Sequence, residues 1–177
     1  MAVTTKDNTP QMLQAMRELA RTRVYVGIPA SAKPRPPEDG ITNAEIGYVQ
    51  EHGQPETNLP ARPFLVPGVM AVHQQTIAFF QQAQNAALDG NLAQARRFMN
   101  RAGLNAAASV QNHIPTAGWA PLSQRTIDER LEKHPFVYTR DPVTNKRTRR
   151  QALASDVTPL VDTGALRQSI TYVSRRE

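Results

Sequence analysis

Apolar residues recur at one-, three- and four-residue intervals through Met12, Leu13, Met16, Leu19 and Ala20, which predicts an amphipathic helix near residues 9–22. Pro10 suits its first turn, and its one apolar face is expected to lie on a sheet. The period then changes. Val24-Tyr25-Val26-Gly27-Ile28 is a short β-branched and aromatic run that reads as a strand. Pro29, Pro34, Pro36 and Pro37 exclude regular structure from 29–40 and predict an exposed Pro-rich loop. Thr42, with Glu45 three residues on, forms a capping-box pattern for a helix through about His52, and Gly53 stands where a left-handed C-terminal cap belongs. Residues 54–60 form another Pro-punctuated turn. Arg62-Pro63-Phe64-Leu65-Val66 then reads as extended, an edge or a strand start because of Pro63.

Two long helical patterns follow, 68–88 and 91–113, separated by Asp89-Gly90 and weakened at Gly103. They predict a helical hairpin or one kinked arm. The polar face of the first is rich in uncharged amides, Gln74, Gln75, Gln81, Gln82, Gln84 and Asn85. Pro115 to Pro121 is read as a loop holding the sole tryptophan, Trp119, and Ser123 caps a helix of about 124–133. Residues 134–158 form a hairpin-like or loop excursion, with Phe136–Arg140 as one strand and Asp141-Pro142 starting a turn. Asp162 or Thr163 is expected to cap a last turn of helix through Arg167, and Ser169–Val173 to form the closing strand. The fold class is α+β in one domain, 1–177: a small twisted antiparallel sheet of about four or five strands. The N-terminal helix and the long hairpin, 68–113, cover that sheet.

Charge adds one feature. The chain has 177 residues and a formal charge of +6, and 11 of its 21 basic side chains fall from residue 123 onward. The densest run is Lys146-Arg147-Thr148-Arg149-Arg150, which could meet DNA phosphates or an acidic protein, or simply be a solvated loop tip. No aromatic residue lies within the run, which argues against a base-stacking single-strand platform. No apolar stretch approaches the roughly 18 residues of a membrane span, and the N-terminal residues lack the apolar run of a secretory signal.

Candidate chemistry is sparse. With no cysteine, thiolate metal sites, disulfides and cysteine nucleophiles are excluded. His52, His73, His113 and His134 fall in separate segments without metal-binding spacing. Neither G-x-G-x-x-G nor a Walker lysine pattern occurs. The expectation is a protein that is not an enzyme and needs no cofactor. Arg96, Arg97 and Arg101 lie on one helix, but base readout would need companion elements that are not evident.

Four local patterns resemble a known group. Beside the strand at 24–28 stand Asn43–Gly53 followed by Leu59-Pro60-Ala61-Arg62-Pro63-Phe64-Leu65, Gly118–Ile127, and Leu160–Ile170. The second and fourth look like the A-x-I-x-x-x-x-E-x-G … P-A-R-P-F-L and L-x-D-T-G-x-L-x-x-S-I signatures of tailed-bacteriophage neck and tail-completion proteins. The third is similar to the W-x-P-L-S-x-x-T pattern of Mu-like virion morphogenesis proteins. In many relatives the D-T-G segment comes first, whereas here it comes last. That order resembles a circular permutation, and it places the closing strand beside the strand at 24–28.

The resemblance implies a structural virion protein, assembled in the host cytoplasm, that forms a head–tail connector ring. Such rings are commonly hexameric, with twelve subunits next to a portal. Implied partners are further copies, the portal or adaptor, and tail tube or tail terminator proteins, with genomic DNA passing nonspecifically through the lumen and no membrane. Docking arms are expected at 29–40 and 134–158, and sister contacts on the amide-rich helix faces.

Structural roles follow for the motif residues. Pro60 and Pro63 stiffen the chain around Arg62, Glu51 pairs with Arg62, and Phe64 anchors the core. Gly53 permits a turn and Gly164 a close backbone approach, while Asp162 or Thr163 caps the helix bearing Leu166. Trp119 and Leu122 lock their loop onto the sheet. Lys146, Arg147, Arg149 and Arg150 are candidates for the DNA channel or for docking. The alternative reading is a basic nucleic-acid-binding module using that cluster with Arg96, Arg97 and Arg101.

Overall fold

The computed structural model describes residues 7–30, 32 and 40–177. The first helix, α1 (Thr9–Arg21), passes directly into β1 (Thr22–Gly27). Most of the predicted Pro-rich loop lies outside the described residues. Helix α2 (Asn43–His52) starts at the predicted capping box: Thr42 Oγ1 accepts from Glu45 N–H at 3.2 Å, and the Glu45 carboxylate accepts from Thr42 N–H at 2.7 Å.

The segment read as extended around 62–66 is instead the entry to a short helix, α3 (Leu65–Met70). Pro63 precedes it and Pro67 sits in its first turn, where backbone N–H groups have no intrahelical acceptor to lose. The predicted 68–88 helix breaks at Ala71-Val72, and α4 (His73–Leu88) continues from there. Helix α5 (Leu92–Thr116) runs through Pro115, which stands in its last turn, so the loop begins at Ala117 rather than at 115. Together α4 and α5 form the predicted hairpin, turning at Asp89–Asn91, with Asn91 Oδ1 capping α5 by accepting from Gln94 N–H at 3.0 Å.

Helix α6 (Gln124–Lys133) begins at Ser123 as expected, with Ser123 Oγ accepting from Thr126 N–H at 3.2 Å. The excursion is a β-hairpin of β2 (Phe136–Arg140) and β3 (Arg147–Gln151), so the basic run is itself a strand. A short helix, α7 (Ala165–Ser169), leads into β4 (Thr171–Arg176). The closing strand thus starts two residues later than expected, because Ser169 and Ile170 end the helix.

The fold is α+β, but the strands form two separate two-stranded antiparallel sheets, not one of four or five. The expected neighbours do pair: Thr22 stands opposite Arg176 and Gly27 opposite Thr171. This sheet lies on α5. Helix α1 packs on α4 and α5 instead of covering the sheet. Its contact is lined by small residues, Ala15, Ala86, Ala87 and Ala95, flanked by Leu19, Leu92 and Phe98, so the helices approach closely. The larger core gathers Phe64, Val110, Ile114, Leu160, Leu166 and Ile170, with Val26, Ile46 and Trp119 packed against it. Glu18 joins three elements, pairing with Arg176 at 2.7 Å and Arg96 at 3.3 Å. Among the described residues, no helix is long and apolar enough to cross a membrane.

Candidate functional site: a motif clasp and a basic hairpin

All four sequence patterns meet in space: Val26, Ile28, Ile46 and Trp119 pack against the core of Phe64, Leu160, Leu166 and Ile170. Glu51, in the last turn of α2, reaches the start of α3. Its carboxylate accepts from the backbone N–H groups of Phe64 (2.7 Å), Leu65 (2.8 Å) and Val66 (3.2 Å). Pro63 has no N–H, so the first free donors after it are these three, and a negative charge is favoured where a helix begins. Glu51 is therefore a cap across two helices and does not pair with Arg62, as the sequence reading expected.

Arg62 turns the other way. It is 3% exposed, yet among the described residues no carboxylate pairs with it. Its Nε donates to Ala120 O (3.2 Å), Nη2 to Pro121 O (3.3 Å) and Nη1 to Gln50 Oε1 (3.2 Å). Burial pushes its pKa below the ordinary arginine value, and the charge of Arg130 acts in the same direction. The planar fork explains the preference: two consecutive carbonyls match its spread donors. Residues 50 and 51 thus hold both ends of the 62–66 segment, since Arg62 N–H also donates to Gln50 O at 2.7 Å.

The remaining motif residues fall around this clasp. Phe64 is 2% exposed and anchors the core as expected, a burial of about 2–3 kcal/mol. Gly53 has φ +75, and a Cβ there would lie 2.7 Å from Ala61 N, so both its turn and its space require glycine. Leu122, Arg62, Arg130, Asp162, Gly164 and Leu166 line one small cavity. Arg130 closes its side by donating to Thr158 O (2.9 Å) and Val161 O (3.0 Å). Leu166 is buried.

Two roles differ from expectation here. Neither Asp162 nor Thr163 is the N-cap of α7: Asp162 is exposed, with His134 Nε2 at 3.7 Å, and Thr163 Oγ1 accepts from Ala165 N–H at 3.3 Å from one position before the cap. The N-cap position belongs to Gly164 at φ +76, where a left-handed backbone rather than a close approach is what glycine supplies, since an added Cβ would meet only Gln168 Nε2 at 3.5 Å. Trp119 packs with its loop against the larger core, which Val26 of β1 also borders. Its Nε1 donates to Ile114 O at 2.7 Å, satisfying a carbonyl in the last turn of α5, and its ring meets His113 edge-on.

The second constellation is the β2–β3 hairpin, which contributes no residue to either core cluster. Its register sets Tyr138 opposite Arg149 and Arg140 opposite Arg147. Because alternate residues share a face, Phe136, Tyr138, Arg140, Arg147 and Arg149 lie on one side. The guanidinium of Arg149 sits 3.6 Å from the Phe136 ring centre and that of Arg147 4.2 Å from the Tyr138 ring centre. Aromatic residues do interleave with the basic run, then, but from the opposite strand. Reading the two period-two patterns, 136/138 and 147/149, across the Asp141-Pro142 turn would have found them.

Arg150 stands on the other face and is tied down. It forms a two-pronged pair with Asp156 (2.7 and 2.6 Å) that holds the hairpin base. Arg150, with Leu153 N–H, lowers the Asp156 carboxyl to about 2. At the tip, Asp141 accepts from Thr144 N–H (2.7 Å) and Val143 N–H (2.9 Å), which lower its pKa and fix the turn. Arg140, Lys146, Arg147 and Arg149 have no carboxylate partner among the described residues.

The helix arginines are otherwise engaged: Arg96 pairs with Glu18, and Arg101 lies over Phe79 at 5.1 Å. Arg97 is exposed. Among the described residues there is no cluster of three or more His, Asp or Glu side chains able to hold a metal ion. Comparison of the chain with protein-family models, curated proteins and solved structures found no match in any of the three.

Proposed function

We propose that this chain is a structural subunit of a phage head–tail connector, a neck, tail-completion or tail-terminator protein that closes into a ring with its own copies. The observation that carries this reading is the β1–β4 sheet. Two strands alone are marginal in water, and α5 supports one face of this pair. Its outer face leaves Tyr25 49% exposed, and each strand has an outer edge without a strand neighbour among the described residues. Such edges accept a further strand readily, and a closed ring removes them from solvent. The motif clasp supports the same reading. Glu51 and Arg62 are engaged with backbone groups, an arrangement that shapes a surface rather than one that moves protons.

The amide-rich face of α4 is exposed throughout, at Gln74, Gln75, Gln81, Gln82, Gln84 and Asn85, and offers a second sister contact. Sedimentation or mass photometry of the purified protein, alone and mixed with portal and tail components, tests the proposal. A closed oligomer, six copies of the 19.6 kDa chain or twelve, is the expected species. Tyr25→Glu, on the outer sheet face, is expected to weaken it. A monomer under all these conditions would overturn the reading, as would imaging that places the chain away from the head–tail junction.

A further inference from the structure

We infer that the β2–β3 hairpin is a ribbon that grips the phosphate backbone of double-stranded DNA without reading its sequence. This does not rest on the ring reading. Between 136 and 151 the chain carries five cations and one carboxylate. The carboxylate, Asp141, is turned onto backbone N–H groups, and Arg150 is neutralised by Asp156. That leaves Arg140, Lys146, Arg147 and Arg149 without a carboxylate partner among the described residues, on an exposed two-stranded ribbon.

The rings decide the kind of polyanion. Phe136 and Tyr138 are covered by Arg149 and Arg147, so they are not open platforms for the splayed bases of a single strand. They serve instead as shelves, holding two guanidiniums by their faces and leaving the N–H edges for phosphate oxygens. Along β3 the two sit two residues apart, about 7 Å by strand rise. A two-stranded ribbon fits the roughly 12 Å major groove of B-form DNA, whereas the A-form RNA groove is too deep and narrow to admit one. The basic face offers Gln151 at its base for adenine and arginines that bond phosphate as readily as guanine, too few base-specific side chains in register to read a sequence, so backbone contact dominates.

Fluorescence anisotropy of a mixed-sequence DNA duplex, titrated with the full chain between 50 and 150 mM salt, tests this. Four neutralised phosphates give a log–log salt slope near −3.6, an affinity loss of about 50-fold over that range. Arg147→Gln/Arg149→Gln should halve the slope and cut the loss to about 7-fold. Phe136→Leu/Tyr138→Leu should weaken binding while leaving the slope in place, because it removes the shelves and not the charges. Arg97→Gln/Arg167→Gln, equal in charge but on α5 and α7, should change neither; circular dichroism checks that each variant folds. The proposal is overturned by absent binding, by a slope that the control pair lowers as much, or by equal affinity for an RNA duplex or single strand. Polyglutamate displacing the duplex at equal charge would instead assign the hairpin to an acidic protein. A monomer that binds DNA would sink the ring alone, and a ring that ignores DNA would sink this inference alone.

Discussion

Gly103 of α5 lies directly under the ring of Tyr172 of β4: a Cβ on the glycine would stand 2.4 Å from ring Cδ2 and 2.9 Å from Val24 Cγ1. The position read from the pattern as a weak point in the helix is where the sheet seats on it. Alanine in mid-helix would normally gain about 1 kcal/mol over glycine. Here the overpacking cost of about 1–3 kcal/mol opposes and exceeds that gain. Gly103→Ala is therefore expected to lower the urea midpoint, and an unchanged or raised midpoint would show that Tyr172 swings clear freely.

Removing the cap is expected to separate α2 from α3. Glu51→Ala leaves three N–H groups at 64–66 without their acceptor, for a loss of about 1–3 kcal/mol. Glu51→Gln keeps one amide oxygen there and should lose less. Denaturant unfolding of the two variants gives the order.

Arg62→Lys should cost about 2 kcal/mol or more, because a single ammonium cannot reach the carbonyls of Ala120 and Pro121 and the Gln50 amide with matched geometry. The 117–123 connection loses its tether, so limited proteolysis should cut there first. Unchanged resistance to cleavage would refute the tether.

Phe64→Ala and Asp162→Ala test the core anchor against the discarded cap. The first empties a 2% exposed site and is expected to cost about 3–5 kcal/mol. The second removes an exposed carboxylate that faces His134 at 3.7 Å and shares its small cavity with Arg62 and Arg130, and it should leave the unfolding midpoint almost unchanged. Comparable losses from both would return Asp162 to a structural role.

Acid should loosen the hairpin base late. The Asp156 carboxyl titrates at about 2 when folded against an ordinary 3.8, so its contribution is whole above pH 4 and shrinks as pH falls toward about 2. Protection of the 149–153 amides, taken relative to the intrinsic exchange rate at each pH, should fall through that window. Asp156→Asn should show low protection at every pH, and a midpoint near 4 in the native chain would contradict the pairing with Arg150.

Local signals carried the parts of this fold that local physics decides. The Thr42–Glu45 box, the Ser123 cap and the Asp89-Gly90 turn each involve groups within four residues, and each stands where it was read. The α1 face does not: Leu13, Met16 and Ala20 are exposed, and the buried residue is Ala15, turned to α4 and α5 rather than to the sheet. Glu51 and Arg62 were rightly singled out but wrongly joined. Their real partners are main-chain groups, which every residue possesses and no side-chain pattern announces. The α3 helix was hidden for a related reason: its start is stabilised by a carboxylate 13 residues earlier, against the extended preference of the residues around Pro63. The strand count failed because the hairpin at 136–151 pairs within itself and never reaches the other sheet.

The pairing of β1 with β4 joins segments separated by nearly all the residues described, from Thr22 to Arg176. During synthesis β1 must wait, partnerless, while every intervening helix is made, so the α4–α5 hairpin has time to close before any sheet exists. A precursor in which residues 171–176 are not yet made therefore offers no finished rim on which another copy could seat. Assembly through that rim would be timed by translation itself, with truncated products left out without any separate inspection step.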